Sequence, residues 1–191
     1  LAVHNDVGVL DLPGFSRFEL TGVGSQKWLL SQISGSLPSI NKMNLAYFSD
    51  SRGRVITEMS IMRHGEDTFT LITAGAAQWH DFELLRRNLP KDKNIKLCDI
   101  TENLFCLVVT GPNSRKLLGK ISTADLNLPW FSIQKASISG KETMFARVSY
   151  AGELGWEIHA KKQDLEEIYG EIIKAGARPF GMYALDSLRV E

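Results

Sequence analysis

The sequence lacks a surplus of charge, because its 22 lysines and arginines are matched by 22 aspartates and glutamates. No basic stretch is interleaved with aromatic residues in the way that follows a phosphate backbone, so we expect no nucleic acid partner. No apolar run approaches the roughly 18 residues of a membrane-spanning helix, and no signal-peptide pattern opens the chain. We therefore expect no membrane partner.

The sequence also has little cysteine, since Cys98 and Cys106 are its only two. Neither belongs to a CxxC motif and no histidine lies at ligand spacing, so neither a disulfide framework nor a metal site is expected. We expect two buried free thiols. The serines form no nucleophile elbow. Gly22-Val23-Gly24 lacks the third glycine of a dinucleotide site and predicts a tight turn before a helix.

What is present is the composition of an ordinary globular protein, with 43% apolar and 23% charged residues in a chain of 191. A chain of this length can bury a substantial core. It starts at Leu1 instead of methionine and reaches Glu191 within a helical pattern. We therefore expect it to be a piece of a longer protein.

An internal repeat organises the chain. One set of markers is a Thr-Gly pair, preceded by an aliphatic residue and followed by Ser, Lys and Leu at the same spacing in both copies. The first copy is Leu20-Thr21-Gly22, Ser25, Lys27 and Leu29; the second, at an offset of 89 (109 − 20), is Val109-Thr110-Gly111, Ser114, Lys116 and Leu118. A second set, Gly53 with Gly65-Glu66, recurs as Gly140 with Gly152-Glu153, at an offset of 87 (140 − 53). Such self-similarity indicates duplication, with a chance match of a few residues as the alternative.

Hydrophobic periodicity gives both halves the order βαβββα. In the first half we predict strands at 15–20, 43–48, 54–63 and 68–73, with helices at 24–33 and 77–88. In the second we predict strands at 104–109, 131–138, 143–149 and 154–160, with helices at 113–120 and 163–175. The fold class is therefore α+β with two duplicated halves, residues 1–92 and 93–191, joined through the polar Lys91–Asn94 segment. Two such halves would leave a cleft suited to a ligand near their pseudo-symmetry axis.

Chemistry is expected where the copies differ. At the offset of 87, Glu58 corresponds to Phe145 and Glu157 to Thr70, so neither carboxylate has an acidic counterpart. Burial in the partly apolar 54–63 strand would raise the pKa of Glu58 and make it a usable base. Glu157 can accept two parallel N–H bonds from an amino-pyrimidine edge, with Tyr150 as a nearby aromatic wall. The alternative for both is a solvent-facing strand residue.

Several segments resemble the glycine-cleavage T-protein (aminomethyltransferase) superfamily across essentially the whole chain. The most specific are SYAGELGWEIH at 149–159 and ALDSLRVE at 184–191; the others are GVLDL at 8–12, FELTG at 18–22, RGRVITEMSI at 52–61 and VTGPNSRKLL at 109–118. The resemblance implies a folate-binding domain that encloses tetrahydrofolate. It also implies a C-terminal barrel domain, which this chain ends before.

The resemblance carries site residues to particular positions. Glu58 matches the essential acid of T-proteins, and Tyr150 and Glu157 match the residues that hold the pterin ring. Ser60 matches a position that contacts the pterin through its backbone, and Ala74 replaces an asparagine near the pterin.

Other departures point within the family. A glutamate at 58 in place of aspartate, and His80-Asp81 on the following helix, look more like the folate domains of dimethylglycine and sarcosine dehydrogenases. Leu185 replaces the arginine of the T-protein form, and the losses at 74 and 185 together argue against the lipoyl-linked T-protein reaction.

The resemblance thus implies transfer of an aminomethyl or iminium one-carbon unit to tetrahydrofolate, giving 5,10-methylene-tetrahydrofolate. The alternatives are glycine-cleavage aminomethyltransferase activity and a non-catalytic folate-binding protein on the same scaffold. FAD is expected only in a flavin domain outside this chain. The implied small-molecule partners are folate and a methylated-glycine or aminomethyl donor. The implied location is the cytoplasm of a bacterium or the mitochondrial matrix of a eukaryote.

Overall fold

Alternating apolar residues produce two six-stranded sheets in the computed structural model, which describes residues 2–91 and 94–191. Within these residues the strands are β1 Gly8–Asp11, β2 Phe15–Thr21, β3 Ile33–Ser34, β4 Lys42–Ser49, β5 Val55–Gly65, β6 Thr68–Ala74, β7 Lys96–Asp99, β8 Leu104–Thr110, β9 Ile133–Ile138, β10 Lys141–Ala146, β11 Gly155–Lys161 and β12 Arg178–Pro179. The helices are α1 Ala2–Asn5, α2 Ser25–Gln32, α3 Gln78–Asn88, α4 Ser114–Ile121, α5 Lys162–Lys174 and α6 Met182–Leu188, with a 3-10 turn at Gly75–Ala77.

The two sheets share most of their strand plan. Five strands correspond: β4-β5-β6-β2-β7 in the first sheet and β9-β10-β11-β8-β1 in the second. The sixth strand differs, because β3 pairs antiparallel with β4 in the first sheet, whereas β12 pairs parallel with β1 at the other edge of the second. The core cluster of the first sheet includes Phe18, Ile61 and Leu71. In the second, Leu107, Phe145, Ile158 and residues of α4 and α5 form an equivalent cluster. The predicted α+β class is therefore observed, and each half contains the predicted βαβββα series with short additional elements: α1, β1 and β3 in the first half, and β7, β12 and α6 in the second.

The repeated glycines Gly22 and Gly111 explain why the Thr-Gly marker recurs. Each has a positive φ, 109° and 127°, and each carbonyl accepts a hydrogen bond from the amide of the serine three residues later at 3.0 Å. A Cβ on Gly22 would lie 2.0 Å from the carbonyl oxygen of Asn94, and one on Gly111 would lie 2.4 Å from that of Asp6. Both turns thus require glycine for conformation and for space.

The compact units differ from the predicted division at residue 92. One unit is residues 14–102, and the other combines the preceding segment with residues 103–191. The reason is that β7, which directly precedes β8, pairs with β2 of the first sheet, whereas β1, which directly precedes β2, pairs with β8 of the second. The predicted linker at 91–94 lies partly outside the described residues.

Two further expectations can be compared with the structure. Cys106 is buried, as expected, but the prediction for Cys98 was wrong: it is exposed, because it lies on β7 at the end of the first sheet. Among the described residues, no helix combines the length and apolar character needed to cross a membrane.

Candidate functional site

Glu58 lies on β5, an interior strand of the first sheet, and its side chain is exposed. It stands opposite Tyr47 of β4, while Ser60 stands opposite Leu45. Directly paired residues share a face of a sheet. Tyr47 and Leu45 are 42% and 49% exposed, so this face offers apolar surface around one carboxylate. The expected desolvation of Glu58 by burial is not observed, because its neighbours on this face are also exposed.

Strand register corrects one reason for singling out Glu58. Ile61 pairs with Leu71, and Phe145 pairs with Ile158 at the same place in the second sheet. Glu58 precedes Ile61 by three residues, so its counterpart is Glu142, three residues before Phe145, and not Phe145 itself. The offset of 87 comes from the glycines in the turns before these strands. It does not hold inside the strands, because β5 begins further before Ile61 than β10 begins before Phe145. Glu58 therefore has an acidic counterpart.

The same comparison of strand pairs shows that Glu157 has no acidic counterpart in the first sheet. Leu71 pairs with Phe18 and Ile158 with Leu107, which are repeat counterparts at the offset of 89. The residue before Leu71 is Thr70, so Glu157 does correspond to a non-acidic position. Glu157 is the carboxylate that differs between the two copies.

The buried carboxylate of Asp81 holds the residue next to Glu58 on β5. Asp81 is fully buried in the first turn of α3, and its Oδ2 accepts hydrogen bonds from the hydroxyls of Thr57 at 2.9 Å and Thr73 at 2.5 Å. Its Oδ1 pairs with Nδ1 of His80 at 2.8 Å. Thr57 directly precedes Glu58. Asp81 therefore joins β5 to β6 beyond Ser60 and Ile72, where their ladder ends.

Ala74 is the last residue of β6 and is exposed. It follows Thr73, whose hydroxyl is held by Asp81. The short side chain adds no polar group where the family resemblance places an asparagine. In contrast, Leu185 on α6 is buried, so its substitution for arginine serves packing in the second unit.

Glu157 lies on β11 in the second unit, with its side chain 23% exposed. As the alternation predicts, Trp156 and Ile158 belong to the core cluster, so Glu157 and His159 point to the opposite face. Glu157 Oε2 pairs with Nε2 of the buried His159 at 3.1 Å. This pairing orients the carboxylate while part of it stays accessible to a ligand.

Tyr150 lies in the loop before β11 and is 61% exposed. Arg189 Nη1 donates to the Tyr150 hydroxyl at 3.2 Å, and its guanidinium carbon lies 5.7 Å from the ring centroid. In the same loop Glu153 binds His4 Nδ1 at 2.9 Å, and Nε2 of His4 binds Glu191 at 2.8 Å. Hydrogen bonds first to Glu153 and then to Glu191 raise the pKa of His4 above its usual value. The loop of Tyr150 is thus tied to both α1 and the α6 end.

A third group of side chains was not found by sequence reasoning. Cys106 on β8 stands directly opposite His159 on β11, and its Sγ lies 4.0 Å from His159 Nε2. With Glu157 they form a cluster whose potential ligand atoms all lie within 4.8 Å of one another. The ligands come from two strands that are distant in sequence, so no local spacing motif could reveal them. Alternation on the paired strands was the available signal.

The predicted site residues therefore fall into two groups. Glu58, Ser60 and Ala74 belong to the unit of residues 14–102, whereas Tyr150 and Glu157 belong to the other unit. A pocket of about 570 Å³ in the second unit is lined by none of them; its walls include Leu10, Leu165, Tyr169 and Phe180. It is a separate feature from the predicted site.

Comparison with known proteins gives a consistent picture. The rat (Rattus norvegicus) mitochondrial dimethylglycine dehydrogenase is 31% identical over 197 residues, covering 99% of this chain and 23% of that protein. The aminomethyltransferase of Listeria innocua is 27% identical over 194 residues, covering all of this chain and 53% of that protein. The chain thus spans about half of one curated relative and about a quarter of the other.

The fold is shared with a solved structure. The glycine cleavage system aminomethyltransferase T from Bartonella henselae superposes with a TM-score of 0.81 at 18% identity, covering 98% of this chain and 51% of that one. The family model described as the GCVT N-terminal domain matches residues 1–191. The resemblance to the T-protein superfamily is thereby confirmed, and the chain belongs to the GCVT N-terminal domain family.

Proposed function

We propose that this chain binds tetrahydrofolate and carries out one-carbon transfer to it, as the folate part of an enzyme similar to the dimethylglycine and sarcosine dehydrogenases. The observation that carries the proposal is the placement of Glu157 as a partly accessible carboxylate oriented by a buried histidine. The names of the relatives agree, since a dimethylglycine dehydrogenase and an aminomethyltransferase both match almost the whole chain.

The residues fit the folate chemically. A carboxylate matches the paired N–H donors of an amino-pyrimidine edge, and charge-assisted hydrogen bonds of this kind are among the stronger ones. Glu157 would therefore hold the pterin edge. Tyr150 would supply an aromatic surface next to it, and its hydroxyl is already fixed by Arg189.

Tetrahydrofolate, when bound, supplies the two nitrogens that take over the one-carbon unit of an iminium donor, releasing the donor's amine. Of the two N–H hydrogens that these nitrogens would lose, one would be taken up by the released amine and the other would leave as a proton. Glu58 would accept that proton and stabilise the positive charge that develops before it departs. Its exposed position beside Tyr47 and Leu45 leaves it open to a ligand, and Ser60 would add a backbone contact on the same face.

The role of Glu58 is tested by Glu58→Gln, with Glu142→Gln as the matched control. Both are strand glutamates at equivalent positions of the two sheets. Loss of a general base costs about 10²- to 10⁴-fold in rate. We expect methylene-tetrahydrofolate formation to fall by that amount in Glu58→Gln and to stay unchanged in Glu142→Gln. Equal rates in wild type and Glu58→Gln would refute the role.

A non-catalytic folate-binding protein is the second candidate function, favoured by the exposed Ala74 in place of a polar side chain. Tetrahydrofolate binding without turnover of a methylated-glycine donor would select it. For the whole protein we propose a flavin domain that generates the iminium and a C-terminal barrel domain. We also propose a mitochondrial matrix location in a eukaryote or a cytoplasmic one in a bacterium.

A further inference from the structure

Cys106, Glu157 and His159 bring three different ligand types to one face of the second sheet. His159 Nε2 lies 3.1 Å from Glu157 Oε2 and 4.0 Å from Cys106 Sγ. Cys106 and His159 are only 1% and 2% exposed. They stand opposite each other on β8 and β11, so their Cα positions are fixed by the sheet ladder.

These distances are close to those of a tetrahedral metal site. Zinc bonds of about 2.0–2.1 Å to nitrogen, about 2.0–2.2 Å to oxygen and about 2.3 Å to sulfur place neighbouring ligand atoms roughly 3.3–3.6 Å apart. All three atoms already lie within 4.8 Å of one another. Closing the remaining gaps requires rotation of the Glu157 and Cys106 side chains.

The charges also suit a divalent ion. A thiolate and a carboxylate carry two negative charges, a neutral imidazole carries none, and a divalent cation makes the buried set neutral. Sulfur, nitrogen and oxygen together are the ligands of zinc, and thiolate disfavours magnesium and calcium. Glu157 is 23% exposed, which gives the site access to solvent.

We propose that Cys106, Glu157 and His159 form a binding site for Zn²⁺ or a similar transition-metal ion. A second consequence rests on the proposed function: an ion held by Glu157 withdraws that carboxylate from the pterin edge. Metal and tetrahydrofolate then compete for the chain, and free zinc inhibits folate binding.

Cobalt(II) is the probe for the site, because a thiolate bound to Co²⁺ gives charge-transfer absorption in the near-ultraviolet and tetrahedral Co²⁺ gives intense visible bands. The purified protein is titrated with Co²⁺ as wild type, Cys106→Ser and Cys98→Ser. Cys98 is the matched control, since it is an exposed strand cysteine in the other unit. We expect the thiolate band in wild type and Cys98→Ser and its loss in Cys106→Ser.

The affinity change is the second readout. Loss of a metal ligand should weaken Co²⁺ and Zn²⁺ binding by more than the roughly 10- to 100-fold that loss of a supporting residue costs. His159→Gln and Glu157→Gln should both show it. No thiolate band in wild type, or an equal band in Cys106→Ser, overturns the site. If Cys106→Ser does not fold, Glu157→Gln decides: unchanged metal affinity in that variant overturns the site.

Competition is measured by adding tetrahydrofolate to the Co²⁺-loaded protein. Displacement of cobalt, seen as loss of the thiolate band, supports shared use of Glu157. Simultaneous binding of both overturns the competition. A protein that shows the thiolate band and never binds tetrahydrofolate, with or without metal, supports the metal site and contradicts the proposed function.

Discussion

At the scale of single residues, the buried Asp81 is the clearest case of a polar group that the fold depends on. A fully buried carboxylate is tolerated only when its oxygens are hydrogen bonded, and Asp81 binds Thr57, Thr73 and His80. Its place in the first turn of α3 adds favourable interaction with the helix dipole. These contacts connect the start of α3 to the strand residue that precedes Glu58.

Asp81→Ala should destabilise the protein by on the order of 3 kcal/mol, because it leaves the Thr57 and Thr73 hydroxyls without their acceptor. Asp81→Asn keeps one acceptor oxygen and should cost less. Asp186→Ala is the control, since Asp186 is an exposed helix aspartate and such changes stay within about 0.5 kcal/mol. Urea unfolding measures all three. A stability of Asp81→Ala equal to that of the Asp186 variant would contradict the role of this network.

Some of these side-chain positions are predictable from the sequence and others are not. The face of Glu157 followed from alternation, because Trp156 and Ile158 are large apolar residues. The counterpart of Glu58 was wrong, because glycine markers in turns fix strand register only when the strands have equal length. The Asp81 and Cys106 contacts could not be predicted, since they join residues of different elements.

At the scale of elements, the turn after β2 depends on two glycines for different reasons. Gly22 and Gly24 both have positive φ, but only Gly22 faces a backbone atom within contact distance. Gly24→Ala should cost about 1–2 kcal/mol from backbone strain alone. Gly22→Ala adds a clash with the Asn94 carbonyl and should cost about 2–5 kcal/mol. Thermal unfolding compares the pair; equal losses would show that the close approach is unimportant.

The hydrogen bonds of His4 predict that the stability of the fold depends on pH. Its pKa is raised in the folded protein by hydrogen bonds to Glu153 and Glu191, so folding favours the protonated imidazole. The contribution is complete below the usual pKa of 6.5 and disappears as the pH rises through the raised value.

The difference in melting temperature between wild type and His4→Gln should therefore be larger at about pH 5.5 than at about pH 8.5. Glu153→Gln removes the first of the two partners and should reduce the same pH-dependent part. A difference that is independent of pH would contradict the assignment.

Helices and long strands were predicted closely from periodicity, and the short strands were not. The predicted strand at 68–73 differs from β6 by one residue at its end, and the predicted helix at 163–175 begins and ends one residue later than α5. In contrast, β1 and β7 have four residues each, too few for a periodic signal. Each of them pairs with the sheet of the other repeat, and local sequence does not encode such a tertiary contact.

At the scale of the whole molecule, duplication produced two sheets that share five corresponding strands and carry different side chains. The predicted acid at 58 and the predicted pterin-binding residues at 150 and 157 belong to different units. The repeat itself was visible in sequence because its turns need glycine at fixed positions. The sequence also shows that only the second copy has a carboxylate at this position, because Thr70 occupies the matching position in the first.

The most direct test of the account is equilibrium titration of the protein with tetrahydrofolate, in wild type and Glu157→Gln. Replacing the carboxylate removes charge-assisted hydrogen bonds worth about 1.5–3 kcal/mol each, so Kd should rise about 10- to 100-fold or more. Glu142→Gln, a change of the same chemistry on an exposed strand position of the same unit, should leave Kd unchanged. Absence of binding in wild type, or equal Kd values for wild type and Glu157→Gln, would contradict the account.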